Sequence, residues 1–219
     1  MTSLIEYRDV RVEGDEGPIV SGFSASVPAG RLTVMVGPSG AGKTTLLRLV
    51  NRLDDPDGGT VLFAGHDVRD YDVLDLRRRV QLVGQVPVTF PGTVADNLLL
   101  APAPSSAGAA GGDGVGDVAG CLTRVGLDPG LAAREADRLS VGEAQRLCLA
   151  RSLALEPEVL ALDEPTSALD TASTAGIVAL IRGLADAGLT VVMVTHDPAQ
   201  ADLADHVVRV EPHSPDRRP

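Results

Sequence analysis

The sequence predicts an α/β fold in which a mostly parallel sheet is flanked by helices. Short apolar runs of strand length, among them Leu32–Val36 and Val159–Leu162, alternate with segments of helical pattern. Continuous apolar strands that alternate with helices indicate a parallel sheet covered on both faces. Two alternating segments rich in Val and Ile, 3–12 and 18–27, predict an additional antiparallel β subdomain. A stretch punctuated by Pro and Gly from residue 85 onwards predicts a small helical subdomain.

The predicted elements follow one another in a regular order. After the two N-terminal strands we expect strands at 32–36, 61–64 and 80–83 with helices at 44–51 and 74–79 between them, then a helix at 141–155, a strand at 159–162, a helix at 172–187, a strand at 189–195, a short helix at 198–203 and a last strand at 206–210. Thr93 and Asp197 stand directly before helical segments and are predicted to cap them.

All 219 residues form one predicted domain. Its core comprises residues 1–84 and 145–211, and its helical subdomain comprises residues 85–144. Within that subdomain, residues 101–116 are low in complexity and rich in Ala and Gly, which is typical of a flexible loop. The last residues, 212–219, are expected to form a disordered tail.

Composition excludes several classes of protein. Acidic residues outnumber basic residues by 30 to 19, a formal net charge of −11. A protein that grips a long nucleic acid normally carries a basic surplus, so nucleic acid is not an expected partner. The basic run Arg77–Arg79 is expected to be a solvated helix face. No apolar stretch approaches the roughly 18–20 residues of a membrane span, and the N-terminus lacks a secretory pattern, so we expect a cytoplasmic protein.

One loop carries the strongest chemical signal. A buried strand is followed by a glycine-rich turn and a helix, and the turn matches the pattern Gly, four residues, Gly-Lys-Thr. Glycines allow successive backbone amides to converge on one anion, and the helix N-terminus adds partial positive charge. We expect Lys43 to reach the β- and γ-phosphates of a nucleotide, Thr44 to bind Mg²⁺ and Thr45 to contact the α-phosphate. The predicted phosphate-binding residues are Gly37, Pro38, Ser39, Gly40, Ala41, Gly42, Lys43, Thr44 and Thr45.

Two carboxylates follow the predicted strand 159–162. Asp163, nearest the strand, suits the ligand shell of Mg²⁺, and Glu164 is placed to take a proton from an attacking water. Adjacent acids at the mouth of a phosphate site repel each other, and a bound cation relieves that repulsion. The pair therefore agrees with a metal ion held beside the phosphate loop, residues 37–44.

A third motif identifies a family that the sequence resembles. Leu139-Ser140-Val141-Gly142-Glu143 resembles the signature Leu-Ser-Gly-Gly-Gln of ABC-type ATPases. Three further segments stand in that family's order and approximate spacing: Gln85 resembles its Q-loop, Ser167-Ala168-Leu169-Asp170 its D-loop, and His196 its switch histidine. The resemblance covers almost the whole chain. It implies a P-loop NTPase fold with a RecA-like, mostly parallel sheet.

The resemblance also implies what these residues do. Gln85 is expected beside Thr44 and Asp163 as a ligand of Mg²⁺, or beside the attacking water. Glu164 is expected to act as the base, and His196 to contact the γ-phosphate. The implied reaction is hydrolysis of ATP with Mg²⁺, and the implied catalytic residues are Glu164, His196 and Gln85.

The signature segment has a second, local interpretation. Ser140 followed three residues later by Glu143 is a capping box, and a capped helix start is itself an anion site. In the family this segment faces the γ-phosphate held by the opposite subunit, so Ser140 and Gly142 imply a homodimer that forms on ATP binding. Asp170 is expected to link the two sites. Val141 and Glu143 depart from the family's Gly and Gln, and Glu143 is expected to direct its carboxylate back to its own helix start.

Family members of this size usually work with a separate integral membrane permease. Such a permease docks a short helix into a groove beside the Q-loop, which implies that this chain sits at the inner face of the cell membrane. The residues expected to line the groove here are Val86, Pro87, Val88 and Phe90.

The cargo is indicated only by similarity of short segments. Residues 51–53, 75–79 and 90–97 are similar to those of small bacterial ATPases of metal (iron-type) export, to plant relatives linked to aluminium tolerance and, more distantly, to phosphate-import ATPases. The alternatives are import of phosphate or another solute, and a soluble ABC ATPase outside transport, in DNA repair or translation.

Overall fold

The computed structural model of this chain describes residues 2–15, 17–100 and 117–212. The predicted flexible loop, 101–116, lies outside the described residues, and so do residues 213–219 of the predicted tail. Among the described helices, none is both long enough and apolar enough to cross a membrane.

The predicted strands and helices appear in the predicted order, and the structure adds a two-residue strand, His66–Asp67, and a 3₁₀ helix, Val68–Asp70. The strands are β1 (Ser3–Gly14), β2 (Gly17–Pro28), β3 (Leu32–Val36), β4 (Gly58–Phe63), β5 (His66–Asp67), β6 (Val80–Val83), β7 (Val159–Asp163), β8 (Thr190–Thr195) and β9 (His206–Arg209). The α-helices are α1 (Lys43–Val50), α2 (Val73–Arg79), α3 (Val94–Leu99), α4 (Val118–Arg124), α5 (Val141–Leu153) and α6 (Thr171–Asp186). Short 3₁₀ helices cover Val68–Asp70, Pro129–Ala133, Ala136–Arg138 and Pro198–Leu203.

The strands form two sheets of different type. The larger sheet has the strand order β6-β7-β8-β3-β9, and each neighbouring pair in it is parallel. The smaller sheet, in the order β2-β1-β4-β5, is antiparallel throughout. The predicted fold class, a parallel sheet with helices and an antiparallel β subdomain, is confirmed.

The apolar core lies on both faces of the parallel sheet. In β7, Val159 and Ala161 belong to a cluster shared with α1 and the antiparallel sheet, whereas Leu160 and Leu162 belong to a cluster shared with α5 and α6. Successive side chains on a strand point to opposite faces, so a strand covered on both sides must be apolar at almost every position. This explains why β3, β7 and β8 are buried along their whole length.

Side-chain caps determine where several helices begin. Thr93 caps α3 through a capping box with Asp96, and the prediction for Thr93 is confirmed. Asp197 caps the 3₁₀ helix that follows β8, accepting from the amide of Ala199. Polar side chains at helix starts satisfy amides that have no acceptor within the helix.

The basic run at the end of α2 differs from its predicted role. Arg77 donates to two backbone carbonyls just after α1. Arg79 forms an ion pair with Glu158 at 2.6 Å, and its guanidinium lies 4.7 Å from the ring centroid of Phe63. Within the run only Arg78 is exposed. Arg77 and Arg79 are only partly solvated, because their long side chains fold onto acceptors and a ring that only the tertiary structure brings near.

Candidate active site

The candidate site lies at the carboxyl edge of the parallel sheet. Strands β6, β7, β8 and β3 are neighbours in that order, and each ends at one of the predicted functional segments. In open α/β sheets, ligands bind outside the carboxyl ends of the strands. The topology therefore brings four distant segments to one edge: those that begin at Gln85, Asp163, His196 and Gly37.

The phosphate loop connects β3 to α1. Gly42 precedes the helix with φ of 85°, and a Cβ at this position would lie 2.6 Å from Cγ2 of Val20, so the position requires glycine. No side chain caps α1. The first amides of α1 consequently have no acceptor within the helix and are available to an anionic ligand.

Lys43 places a buried cation at the base of the phosphate loop. Its Nζ donates to the carbonyl oxygens of Gly37 and Pro38, both at 2.8 Å. These carbonyls belong to the loop itself. Phosphate oxygens are stronger partners for an ammonium group than neutral carbonyls are, so the loop holds a cation ready for an anionic ligand.

Thr44 and Asp163 form the pair expected to hold Mg²⁺. The Thr44 hydroxyl donates to Oδ1 of Asp163 at 3.0 Å. Burial raises the pKa of Asp163 above its usual value; the hydrogen bond from Thr44 opposes the rise, and the neighbouring charge of Glu164 adds to it. A divalent cation favours the ionised carboxylate and so offsets the effect of burial. Mg²⁺ is usually bound by one or two carboxylates together with phosphate oxygens, and this hydroxyl and carboxylate fit that chemistry.

Glu164 and His196 form a second pair beside the first. Oε2 of Glu164 lies 3.0 Å from Nδ1 of His196. A carboxylate only accepts hydrogen bonds, so Nδ1 carries the proton in this contact, and the ring can donate a second bond from Nε2 only when it is protonated. Glu164 has φ of 45°, a left-handed conformation that costs a non-glycine residue roughly 1–2 kcal/mol. Strain of this kind concentrates at functional sites.

The structure joins Gln85 to the D-loop. Its Nε2 donates to Oγ of Ser167 at 3.2 Å, and Oγ of Ser167 donates to the carbonyl oxygen of Glu164 at 3.1 Å. Gln85 therefore reaches the neighbourhood of Glu164 through Ser167. Its expected contact with Mg²⁺ or the attacking water stays a prediction.

Asp170, at the end of the D-loop, caps α6 of its own chain. Its carboxylate accepts from the amide of Ser173 at 2.9 Å and from the hydroxyl of Ser173 at 2.8 Å. These hydrogen bonds hold the pKa of Asp170 below its usual value. The contact of Asp170 across a dimer interface stays a prediction.

The signature segment begins α5 with the predicted capping box. The amide of Ser140 donates to Oε2 of Glu143 at 2.8 Å, and the amide of Glu143 donates to Oγ of Ser140 at 3.3 Å. The expectation that Glu143 turns back to its own helix start is confirmed. Ser140 and Gly142 line a cavity of about 360 Å³. A different cavity, of about 200 Å³, is lined by Glu164 and His196.

One buried polar contact near the site has no counterpart among the sequence-based predictions. Nε2 of Gln200 donates to Oγ1 of Thr166 at 2.9 Å, and both side chains are buried. The bond fastens the 3₁₀ helix after His196 to the turn after Glu164, so Gln200 positions both loops. Only its place four residues after His196 could have drawn attention to it.

Comparison with known proteins agrees with this geometry. The family model described as ABC transporter matches residues 20–167. Protein STAR1 of Oryza sativa subsp. japonica is 45% identical over 217 residues, which cover 94% of this chain and 61% of that protein. The phosphate import ATP-binding protein PstB 2 of Mycobacterium tuberculosis (strain ATCC 25618 / H37Rv) is 44% identical over 199 residues, covering 84% of this chain and 69% of that protein.

The fold of this chain also matches that of a solved structure. The ATP-binding cassette MJ0796, a dimer in a post-hydrolysis state bound to ADP and Pi, superposes with a TM-score of 0.79 at 27% identity. The superposition covers 96% of this chain and 97% of that one. The matched family model spans the phosphate loop, Asp163 and Glu164, which are the residues that meet at the carboxyl edge of the sheet. The chain therefore belongs to the ABC transporter family, as an ATP-binding cassette of the kind whose members are ATPases.

Proposed function

We propose that this chain is the ATP-hydrolysing subunit of an ABC transporter, and that it works as a homodimer whose two ATP sites lie between the subunits. The observation that carries the proposal is the meeting of three elements at one sheet edge. These are the uncapped start of α1 with Lys43, the Thr44–Asp163 pair and the Glu164–His196 pair.

Binding of the nucleotide uses the phosphate loop. The amides at the start of α1 surround the phosphates, and Lys43 exchanges its carbonyl partners for β- and γ-phosphate oxygens. Thr44 and Asp163 would hold Mg²⁺. When bound, Mg²⁺ offsets the negative charge of the phosphate oxygens. Thr45 contacts the α-phosphate, and Gln85 completes the metal or water contacts.

Hydrolysis uses the second pair. Glu164 accepts a proton from a water molecule as the water oxygen attacks the γ-phosphorus and the bond to the ADP oxygen breaks. Glu164 holds His196 through Nδ1, which leaves the Nε2 edge of the ring to face the γ-phosphate. Most of the rate enhancement comes from positioning and charge stabilisation.

The signature segment supports a site shared by two chains. Ser140 and Gly142 line a cavity different from the one beside Glu164 and His196, so a second chain is needed to bring a signature to the γ-phosphate. The start of α5 leaves the amides of Val141 and Gly142 without an acceptor inside the helix, and the Ser140 hydroxyl keeps its own proton for donation. Two chains in head-to-tail contact complete two equivalent sites.

Mixing two defective chains tests the shared site. Lys43→Ala removes the cation of the phosphate loop, and Gly142→Asp places a carboxylate at the signature; each chain alone should lose phosphate release. In a mixed dimer the intact loop of one chain meets the intact signature of the other. We expect a 1:1 mixture to recover about a quarter of the parental rate, because half of the dimers are mixed and each has one intact site.

A glycine far from the signature provides the control for this mixing experiment. Gly183→Asp adds the same charge at an exposed position of α6 where a Cβ has nothing within 4 Å, and it should stay active alone. Activity of either defective chain alone, or a mixture that recovers nothing, would contradict the shared site.

An exposed apolar surface beside the Q-loop is the proposed docking site for a membrane permease. Val86, Val88 and Phe90 are 74%, 56% and 45% exposed, although large apolar side chains are usually buried. They follow Gln85 directly, so a helix that docks there is next to the catalytic edge. This docking places the chain at the inner, cytoplasmic face of the cell membrane.

Substitution of Phe90 tests the docking site. Phe90→Asp should abolish co-purification with the membrane permease, because it replaces an apolar ring of the docking surface with a charge that must lose its water on docking. Leu74→Asp, at a 62% exposed leucine of α2, should leave co-purification intact. Equal melting temperatures would show that both variants fold. Retention of the permease by the Phe90 variant would argue for another docking surface. If the unmodified chain co-purifies no membrane protein, the result would argue for a soluble ABC ATPase.

Two cargo assignments rest on likeness to relatives. Metal (iron-type) export follows from the similar segments at 51–53, 75–79 and 90–97. Import of phosphate is favoured by the identity to PstB 2, which is a phosphate import protein by name. Transport assays with the permease, comparing iron efflux with phosphate uptake, decide between them.

A further inference from the structure

Glu143 brings a negative charge to a segment that is proposed to bind an anion. It stands at the third position of α5, within the same turn as Ser140 and Gly142. A carboxylate near a γ-phosphate opposes binding through charge repulsion. The chain must therefore keep this charge away from the anion or offset it, and the structure contains an arrangement of two parts that does both.

The first part of this arrangement is the capping box. The amide of Ser140 donates to Oε2 of Glu143 at 2.8 Å, which turns the carboxylate back along its own helix. This bond and the Ser140 side chain hold the pKa of Glu143 below its usual value, so the group is ionised. The cap thus fixes where the charge lies but does not remove it.

The second part is a cation held beside the same carboxylate. Nη1 of Arg134 lies 3.8 Å from Oε1 of Glu143, the carboxylate oxygen that is not used in the capping box. Nη2 of Arg134 donates to the carbonyl oxygen of Arg138 at 2.7 Å, which fixes the guanidinium near the start of α5.

The backbone around Arg134 is anchored independently of Glu143. The amide of Val94 donates to the carbonyl oxygen of Arg134 at 2.9 Å, and the amide of Ala136 donates to the carbonyl oxygen of Gly92 at 2.9 Å. These bonds tie residues 134–136 to the start of α3. Arg134 is therefore held in place by the segment that follows the proposed docking surface, whatever residue occupies position 143.

We propose that Arg134 is a positioning residue of the ATP site, which offsets the charge of Glu143 and lets this signature accept the γ-phosphate of the partner's nucleotide. The inference rests on the proposed function, because it requires a signature that closes over ATP. Arg134 acts through Glu143 and has no contact of its own with the nucleotide.

A double-mutant cycle on Arg134 and Glu143 tests the proposal. Each variant is made in a Glu164→Gln chain, and the Mg-ATP concentration that gives half-maximal dimer is measured by light scattering at low and high salt. Arg134→Ala should raise this concentration roughly fivefold at low salt, the upper end for one partly exposed ion pair. High salt should shrink the difference, because the charges are exposed and screened.

The remaining variants separate charge from structure. Arg134→Lys keeps the positive charge, so its half-maximal Mg-ATP concentration should stay within twofold of that of the parent. Glu143→Gln removes the charge that Arg134 offsets, so Arg134→Ala should have no further effect in that background. If Arg134→Ala still raises the half-maximal Mg-ATP concentration fivefold in the Glu143→Gln background, the proposal is overturned, since Arg134 would then act through its hydrogen bond to the carbonyl oxygen of Arg138. The proposal is also overturned if Arg134→Ala has the same half-maximal Mg-ATP concentration as the parent.

This design separates two failures. If the Glu164→Gln parent forms no dimer at saturating Mg-ATP, the proposed function itself fails. If the parent forms a dimer and Arg134→Ala does not change the Mg-ATP concentration that this requires, only the inference about Arg134 fails.

Discussion

Glu164→Gln is expected to lower ATP hydrolysis by at least about 100-fold, the lower range for loss of a general base. The amide has the size of the carboxylate but cannot accept the proton of the attacking water. Binding should survive, because Lys43 and the start of α1 are unchanged. The nucleotide would therefore remain between two chains, and the ATP-bound dimer should accumulate. Phosphate release and size-exclusion chromatography with Mg-ATP measure the two effects.

A distant glutamate provides the matched control for this variant. Glu158 precedes β7 at the opposite edge of the sheet and pairs with Arg79. Glu158→Gln should hydrolyse ATP at the parental rate. Parental turnover by the Glu164 variant would remove Glu164 as the base, and loss of activity in both variants would point to a general effect on the fold.

Gly37→Ala is expected to lower the free energy of unfolding by about 3 kcal/mol, as in overpacked interiors. A Cβ at position 37 would lie 2.2 Å from the carbonyl oxygen of Val210, and a backbone atom cannot move aside as a flexible side chain can. The amide of Val210 is bonded to the carbonyl of Val36 at 2.8 Å, so the clash would separate the chain after β9 from the start of the phosphate loop. Nucleotide affinity should fall with stability. Urea unfolding and a fluorescent ATP analogue measure the two quantities.

Gly84→Ala provides the control, because a Cβ there has nothing within 4 Å and Gly84 is an exposed neighbour of Gln85. It should leave both stability and affinity close to those of the parent. If Gly37→Ala is equally harmless, the close approach of Gly37 to Val210 does not support the loop.

Local patterns in the sequence predicted most of the strands and helices, although not β5 or the 3₁₀ helix Val68–Asp70, and they indicated the candidate site residues. Strands β3, β7 and β8 are covered on both faces, so nearly every successive residue in them must be apolar, and such a run can be recognised in the sequence. The phosphate loop and the capping box of Ser140 and Glu143 depend on neighbours within a few positions. Interactions of this kind can be predicted from the sequence, because the residues that make them lie within a few positions of one another.

Contacts between distant segments were decided by the tertiary structure. The sheet order β6-β7-β8-β3 sets Gln85 against Ser167, and the packing of two loops buries Gln200 on Thr166. Arg79 remains partly exposed, and its ion-pair partner Glu158 lies 79 positions away in the chain, which the sequence did not indicate. A side chain's partner depends on which strands become neighbours, and that choice is made by the burial of the whole core. Sequence alone thus predicted which groups this protein carries for phosphate chemistry, whereas only the folded chain decided which of them touch.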